Sequence, residues 1–204
     1  TLTLQQGPLT WVRMHRAHHT HSDTDKDPHP QKYGWVFGHM GWPVLSHKTL
    51  CRSKMVKVVP KDLASDPFLC WLDKYHLPIV LGSMILLYAI GGLPWFLWAG
   101  CFRIIWVMHI TWTVNSLTHR FGYRRFDTSD SSTNFWPVGI LAYGEGWHNN
   151  HHRFPDYARQ GLAWWEIDMS YYWIVMLEKL GLASNVKVPD WRPAVGKRAI
   201  TVSD

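Results

Sequence analysis

The most apolar part of the chain lies between Lys74 and Arg103, where 28 residues pass without Asp, Glu, Lys or Arg. Gly91-Gly92-Leu93-Pro94 interrupts this region, and a second apolar stretch runs from Trp95 to Val114. Each stretch approaches the roughly 20 residues that cross a hydrocarbon core. The pattern predicts a transmembrane helical hairpin over residues 77–119 that turns at residues 91–94. The alternative is a buried hairpin in a soluble protein.

Basic residues flank both outer ends of this hairpin and avoid its turn. They are Lys48, Arg52, Lys54, Lys57, Lys61 and Lys74 before the hairpin, and Arg120, Arg124 and Arg125 after it. Loops rich in Lys and Arg stay on the cytoplasmic side of a membrane. We therefore expect an integral, multi-pass membrane protein whose two flanks lie on the same cytoplasmic side.

The rest of the chain divides into three parts by its polar and aromatic pattern. Residues 1–76 are expected to be a cytoplasmic segment with helices at the membrane interface, and residues 120–188 a second cytoplasmic segment with an apolar helix ending near Gly181. Residues 189–204 are basic and expected to be a loose tail. With the hairpin, this describes an all-α membrane protein with a helical cytoplasmic cap.

The composition favours a membrane over nucleic acid as the partner. The chain has 14 Trp, 13 His and a net charge of +6. Tryptophan is typical of membrane interfaces, and a basic balance suits either nucleic acid or an anionic membrane face. No basic stripe is interleaved with aromatics, so we expect lipid and no nucleic acid. The three cysteines form no C-x-x-C motif, which indicates a reducing compartment.

Two copies of the motif H-x-x-H-H are the main chemical signal. The histidines are His15, His18 and His19 in the first copy, and His148, His151 and His152 in the second. On a helix this spacing places three imidazoles on one face, within reach of one metal centre. Since one hairpin returns the chain to the side it left, the two triplets can converge on one site.

Other polar residues accompany the triplets. Asn115 and His119 are four residues apart at the cytoplasmic end of the second span, where polar groups are functional candidates. We expect them on one helix face, with His119 as a seventh imidazole and Asn115 holding a metal-bound water. Asp27-Pro28-His29 either supplies a carboxylate that orients a ligand imidazole or forms a solvated turn.

Three further histidines are not expected to be ligands. His39 and His47 have no partner at ligand spacing, and His109 lies deep in the second span. We expect His39 and His47 to be structural or surface residues and His109 to be packed. Trp11 lies four residues before His15, and either packs beside the metal site or is a plain interfacial tryptophan.

Seven imidazoles exceed the four positions of a structural zinc, which leaves room for two metals. Imidazole suits Fe, Zn, Cu and Ni alike, so the ligand type does not choose the metal. A site next to an apolar hairpin suggests a lipidic substrate, and an unactivated C–H bond needs iron and O2. A zinc-dependent membrane hydrolase and a non-catalytic metal-binding protein are alternatives from other classes.

These motifs resemble those of the membrane fatty acyl Δ9 desaturases. His15-Arg-Ala-His-His19, Asn115-x-x-x-His119 and Gly144-Glu-Gly-Trp-His-Asn-Asn-His-His152 are similar to the second histidine box, the intermediate histidine and the third box. Asp27-Pro28-His29 and Gly122-Tyr123-Arg124 fit the same pattern. The segments 158–168 and 180–187 are similar to the bacterial, cyanobacterial and plant branch, and the resemblance covers nearly the whole chain.

The resemblance implies a cis double bond, inserted at the ninth carbon of a saturated acyl chain on CoA or a glycerolipid. It implies two iron ions, O2 as co-substrate, and electrons from ferredoxin or cytochrome b5 at a cytoplasmic or plastid stromal face. Trp11 and Thr111 would shape the bend of the acyl tunnel, and Arg13 would lie near the head group. The implied metal ligands are His15, His18, His19, His119, His148, His151 and His152, with Asn115 through water, and no further catalytic residue. Related membrane di-iron hydroxylases and monooxygenases share the histidine pattern.

One motif of the family is missing. Its first box, H-R-x-x-x-H or close to it, lies on an earlier hairpin, and these 204 residues contain no such motif. The resemblance implies a four-span bundle and two more histidine ligands in the complete enzyme. We expect the chain as given to hold an incomplete di-iron site and to be inactive alone.

Overall fold

The computed structural model describes residues 1–45 and 60–192, in which regular structure is helical apart from two isolated β-bridges. His47, the basic run at residues 48–57 and the tail from residue 193 lie outside the described residues. The chain divides into two units, Thr1–Trp112 and Thr113–Asp204. The helical content agrees with the all-α prediction.

Unit 1 contains most of the helices. They are α1 (Pro8–His21), a 3-10 turn (Gln31–Tyr33), a π-helical segment (Phe37–Gly41), α2 (Trp42–Leu45), α3 (Lys61–Ala64), α4 (Pro67–Lys74), α5 (His76–Trp95), a second π-helical segment (Phe96–Phe102) and α6 (Arg103–Leu117), inside which the unit boundary falls. Unit 2 contains α7 (Trp136–Leu141), α8 (His148–Arg153) and α9 (Met169–Lys179).

Helix α1 begins at Pro8, a position where the missing proline N–H costs no hydrogen bond. Thr10 ties this helix to α4, since its backbone N–H and its hydroxyl donate to the Asp73 carboxylate at 2.8 and 3.1 Å. The Asp66 side chain caps α4 by accepting from the N–H groups of Phe68 and Leu69. The start of α1 is therefore anchored to a second helix of the same unit.

The apolar region folds back on itself near Gly92. This glycine has φ 63° and ψ −157°, in the left-handed range that other residues avoid. A Cβ built at Gly100 would lie 2.6 Å from the Met84 Cε atom. A straight helix would separate residues 84 and 100 by about 24 Å. The reversal therefore falls inside the turn predicted at residues 91–94.

This hairpin has a surface suited to lipid. Among the described residues, His76–Leu117 is long and apolar enough to cross a membrane, and its most apolar 18-residue window has a mean hydropathy of 1.9. Only 6% of its most apolar window is buried, and Ile85 is 70% exposed. The length and the exposed apolar side chains are consistent with a lipid-facing hairpin, and its crossing of a membrane stays a prediction.

His39 and His109 pack against each other in unit 1. The His39 Nε2 and His109 Nδ1 atoms are 3.1 Å apart, and the Trp35 ring stacks on His39 with an interplanar angle of 12°. His39 is buried. Both residues are in packed contacts, as expected for histidines with a structural role.

In unit 2, buried polar side chains hold irregular backbone. Glu166 accepts from the N–H groups of Leu162 and Ala163, each at 2.7 Å, through its Oε2 atom. Asp168 accepts from Tyr171 N–H at the start of α9. That helix ends at Lys179, and Gly181 follows with φ 71°, so its predicted end near Gly181 is confirmed.

Candidate metal centre

The first histidine triplet lies on α1, as its spacing predicts. The Nε2 atoms of His15 and His19 are 3.1 Å apart, and the ring centroids of His15 and His18 are 6.5 Å apart. Trp11 stacks on His15 at 4.8 Å between ring centroids. Of the two interpretations left open for Trp11, the structure supports packing beside the histidines.

Asp27 orients one member of this triplet. Its Oδ1 atom lies 3.0 Å from His18 Nδ1 and accepts the His29 N–H at 2.9 Å, while Oδ2 accepts the Asp23 N–H at 2.8 Å. The side chain is fully buried, so the segment is no solvated turn. Burial raises the pKa of Asp27, and His29 acts against that shift. Nitrogens of His18 and His29 and an Asp27 oxygen lie within 4.8 Å of one another.

The second triplet lies on α8 with the same spacing and a similar pair of nitrogens. His148 Nε2 and His152 Nε2 are 3.0 Å apart, and the rings of His148 and His151 are 5.9 Å apart. His152 Nδ1 lies 2.8 Å from Asp130 Oδ2. This carboxylate was not foreseen from the sequence, because Asp130 is 22 residues from its partner in a loop without a motif.

His119 joins the second triplet, although not from a helix. Helix α6 ends at Leu117, whose carbonyl accepts the N–H groups of Arg120 and Phe121. The expected shared helix face of Asn115 and His119 is therefore wrong. The His119 ring still lies 5.1 Å from His148 and 5.3 Å from His152, with ligand nitrogens within 4.8 Å.

His119 contacts a loop of unit 2, and Asn115 lies near the end of α6. The His119 Nδ1 atom lies 3.2 Å from the Ser131 hydroxyl oxygen, so this imidazole is tied to a loop of unit 2. Asn115 lies half-buried on the last turn of α6. Its role through a metal-bound water stays a prediction.

The two asparagines inside the second motif brace α8. Asn149 Oδ1 accepts the N–H groups of Arg125 and Phe126, both at 2.8 Å. Asn150 Nδ2 donates to the Gln160 carbonyl at 2.8 Å. Both asparagines are buried. The sequence alone predicted no role for these asparagines, although their position between ligand histidines could have indicated one.

The donor geometry fits a first-row metal ion. Two neighbouring nitrogens about 2.1 Å from one ion, at a right angle, would be about 3.0 Å apart. The pairs His15–His19 and His148–His152 are separated by 3.1 and 3.0 Å. Burial and the charge of His19 lower the pKa of His15 to about 3, so this imidazole stays neutral, the form that binds metal.

A cavity of about 410 Å³ lies beside α1 in unit 1. It is lined by Thr1, Thr3, Gln5, Gln6, Gly7, Pro8, Trp11, Val12, Val107 and Thr111. Two residues predicted to shape the acyl tunnel are therefore together in one cavity wall. Gln5, which the sequence did not single out, donates from Nε2 to the Thr111 hydroxyl at 3.2 Å.

Arg13 is outside this lining and is half-buried on α1. Its Nη2 atom lies 3.5 Å from the Thr10 hydroxyl, to which it donates. Arg13 thus lies outside the cavity lining, and its predicted contact with a substrate head group stays a prediction.

Comparison with known proteins identifies the family. The fatty acid desaturase model matches residues 1–176. An sn-1 stearoyl-lipid 9-desaturase of Anabaena variabilis is 48% identical over 93% of this chain and 69% of its own length. An sn-2 palmitoyl-lipid 9-desaturase of Nostoc sp. is 44% identical over 91% of this chain and 65% of its own length.

A palmitoyl-monogalactosyldiacylglycerol delta-7 desaturase of Arabidopsis thaliana is also 44% identical, over 91% of this chain and 50% of its own length. The chain thus spans from half to about two thirds of the relatives described. The matches confirm the predicted family. On this evidence, the chain belongs to the fatty acid desaturase family.

Proposed function

We propose that the protein is a membrane desaturase that inserts a cis double bond at the ninth carbon of a saturated fatty acyl chain. The observation that carries the proposal is the pair of H-x-x-H-H helices, each with two Nε2 atoms at the spacing of neighbouring metal ligands. Relatives named as stearoyl-lipid and palmitoyl-lipid 9-desaturases support position nine and a glycerolipid as the acyl carrier.

The metal ligands in this proposal are imidazoles from both motifs. They are His15, His18, His19, His119, His148, His151 and His152, with Asn115 acting through a water. Two iron ions, when bound, supply the redox chemistry that O2 reduction and C–H cleavage require. The overall reaction removes two hydrogens from the acyl chain and adds two electrons and two protons. It reduces one O2 to two waters.

The side chains around the histidines hold them for this task. Asp27 keeps the His18 ring turned so that Nδ1 faces the carboxylate. The depressed pKa of His15 keeps its ring free of a second proton at neutral pH. An imidazole that is already oriented and neutral loses little freedom when it binds a metal.

The cavity beside α1 is the proposed place of the acyl chain near the reacting carbons. The Trp11 ring stacks on His15 and also lines the cavity, so a chain in the cavity would pass close to a ligand histidine. The hydrogen bond between Gln5 and Thr111 fixes part of the wall. Arg13 is proposed to contact the polar head group.

The proposed setting is a membrane. The hairpin at residues 77–119 would cross the bilayer, with the histidine helices at the cytoplasmic face, or the stromal face in a plastid. Electrons would come from ferredoxin or cytochrome b5. Two relatives named as chloroplastic are consistent with the stromal alternative.

The test is expression of the complete reading frame that encodes these 204 residues in a desaturase-deficient host. We expect a new cis-Δ9 monoenoic acid in glycerolipids, and none from a His148→Ala variant. A hydroxylated acid would instead indicate a hydroxylase. Zinc in the purified protein, with O2-independent ester cleavage, would indicate a hydrolase. Absence of a new lipid despite two bound iron ions would refute the proposal.

A further inference from the structure

Two imidazoles of unit 2 turn their Nδ1 atoms toward one loop, residues 124–132. His152 Nδ1 lies 2.8 Å from Asp130 Oδ2, and His119 Nδ1 lies 3.2 Å from Ser131 Oγ. The His152 side chain is 1% exposed and the Asp130 side chain 9% exposed. Adjacent residues of one loop thus contact two different histidines, each through the same ring nitrogen.

The loop itself is held rigidly. Asp130 Oδ1 accepts the Ser132 N–H at 2.9 Å and the Thr128 hydroxyl at 3.0 Å. The Arg124 guanidinium donates to the carbonyls of Asp130 at 2.6 Å and Thr128 at 2.9 Å, which joins both ends of the turn. A carboxylate fixed in this way keeps a defined distance to its imidazole, which a free surface aspartate would not.

The loop is also coupled to α8 from its other side. Asn149 Nδ2 donates to the Phe126 carbonyl at 3.1 Å and to the Thr128 hydroxyl at 3.2 Å. Asn149 lies between two histidines of the same helix. The loop and the histidine helix therefore form one hydrogen-bonded body.

We infer that Asp130 and Ser131 are positioning residues of the metal centre, which orient His152 and His119 so that Nε2 of each ring is the metal-binding atom. A ring nitrogen engaged by a carboxylate or hydroxyl fixes which nitrogen is left for the metal, and fixes the rotation of the ring. This inference rests on the proposed function for the assignment of both histidines as ligands.

The test measures metal affinity as well as activity. The complete protein is purified metal-free, and Fe²⁺ affinity is measured anaerobically by competition with a chelator. The absorption spectrum with Co²⁺ reports the ligand geometry. We expect Asp130→Ala to weaken Fe²⁺ binding about 10- to 100-fold and to alter the Co²⁺ spectrum. Asp130→Asn keeps an acceptor oxygen and should lose less.

The Ser131 contact is tested by a conservative pair. Ser131→Ala should weaken Fe²⁺ binding by less than Asp130→Ala does. Ser131→Thr, which keeps the hydroxyl, should bind Fe²⁺ with wild-type affinity. Matched controls come from the same loop, where Asp127 and Ser129 are exposed. Asp127→Asn and Ser129→Ala should leave the affinity and the Co²⁺ spectrum unchanged.

The outcomes separate this inference from the proposed function. Wild-type affinity and an unchanged Co²⁺ spectrum in Asp130→Ala would overturn the inference, even if the protein desaturates lipids. If Asp130→Ala does not fold, Asp130→Asn and the Ser131 pair decide by the same criteria. A wild-type protein that binds Fe²⁺ but makes no double bond would refute only the function. A wild-type protein that binds no metal would overturn both.

Discussion

Helices α1 and α8 carry the same histidine motif in two different settings. Both place two Nε2 atoms 3.0–3.1 Å apart, and both hold one imidazole against a carboxylate at 2.8–3.0 Å. His18 of α1 contacts Asp27, which lies nine residues away in the chain. His152 of α8 contacts Asp130, which lies 22 residues away. The first set is built from local sequence, and the second depends on a distant loop.

The two helices also differ in length, and the shorter one is again the one that depends on distant residues. Helix α1 has 14 residues and α8 has six. A helix of six residues is not stable on its own, because nucleation costs more than so few hydrogen bonds return. Asn149 and Asn150 supply the missing support through buried contacts. One ligand geometry can thus be reached either by helix length or by tertiary bracing.

The largest effect is expected from removing a ligand in either set. His15→Ala and His148→Ala should each reduce turnover below detection, because both sets are proposed to hold metal. The measurements are lipid double-bond analysis in a desaturase-deficient host that expresses the complete reading frame, and iron content of the purified complete protein. His21→Ala, at the end of α1, is the control and should keep iron. Full activity in either ligand variant would remove that set from the proposed centre.

Removing a side chain that braces α8 should lower the free energy of unfolding, whereas removing an exposed hydroxyl from α1 should hardly change it. Asn150→Ala leaves the Gln160 carbonyl and Asn134 Nδ2 without this partner inside unit 2. We expect a loss of about 2–4 kcal/mol in the free energy of unfolding. Thr20→Ala, at an exposed position of α1, should change it by no more than about 0.5 kcal/mol. Denaturant titration of the purified protein measures both, and equal effects would contradict the contrast.

The carboxylate that contacts His18 of α1 can be compared directly with the carboxylate that contacts His152 of α8. Asp27→Asn should weaken anaerobic Fe²⁺ binding about 10-fold, since an amide supports the His18 imidazole less than a carboxylate does. Asp25 lies in the same segment and is exposed, where it pairs with Lys32. Asp25→Asn should therefore retain wild-type affinity. If both variants bind Fe²⁺ equally well, Asp27 does not tune the site.

The smallest effect concerns the entry to α8. Burial raises the pKa of the Glu145 carboxyl above its ordinary 4.5, the charge of Asp168 adds to this, and Gln160 opposes it. A carboxyl with a raised pKa in the folded state costs no stability below pH 4.5, and destabilises progressively as pH rises through its folded pKa. Glu145→Gln should therefore raise Tm at pH 8 and leave it unchanged near pH 4.

The control for that experiment is Glu178→Gln, at an exposed position of α9. Its Tm should match the wild type at both pH values. A Glu145→Gln variant whose Tm rises equally at pH 4 and pH 8 would show that packing, and not charge, limits stability at this position.

Local features of the site were predictable from the sequence, and long-range ones were not. The helical spacing of His15, His18 and His19 follows from periodicity, and the break at Gly92 follows from the Gly and Pro residues at positions 91–94. Asp27 was open between two interpretations, because a nearby carboxylate orients a ligand only if it is buried. The end of α6 before His119 depends on hydrogen bonds to Leu117 that periodicity does not report.

Other contacts join residues far apart in the chain. Gln5 meets Thr111 across 106 residues, and Asn149 meets Phe126 across 23. A single sequence gives no signal for such pairs, because either partner alone is an ordinary polar residue. The structure is needed to show that these polar residues are parts of a cavity wall and of a helix brace.

The close approach of His148 Nε2 to His152 Nε2, at 3.0 Å, also has a consequence for metal selectivity. Two nitrogens about 2.1 Å from one ion would be about 3.4 Å apart at a tetrahedral angle, and about 3.0 Å apart at a right angle. The pair therefore suits an ion that takes ligands at right angles, and Zn²⁺ in tetrahedral geometry should compete poorly for the site.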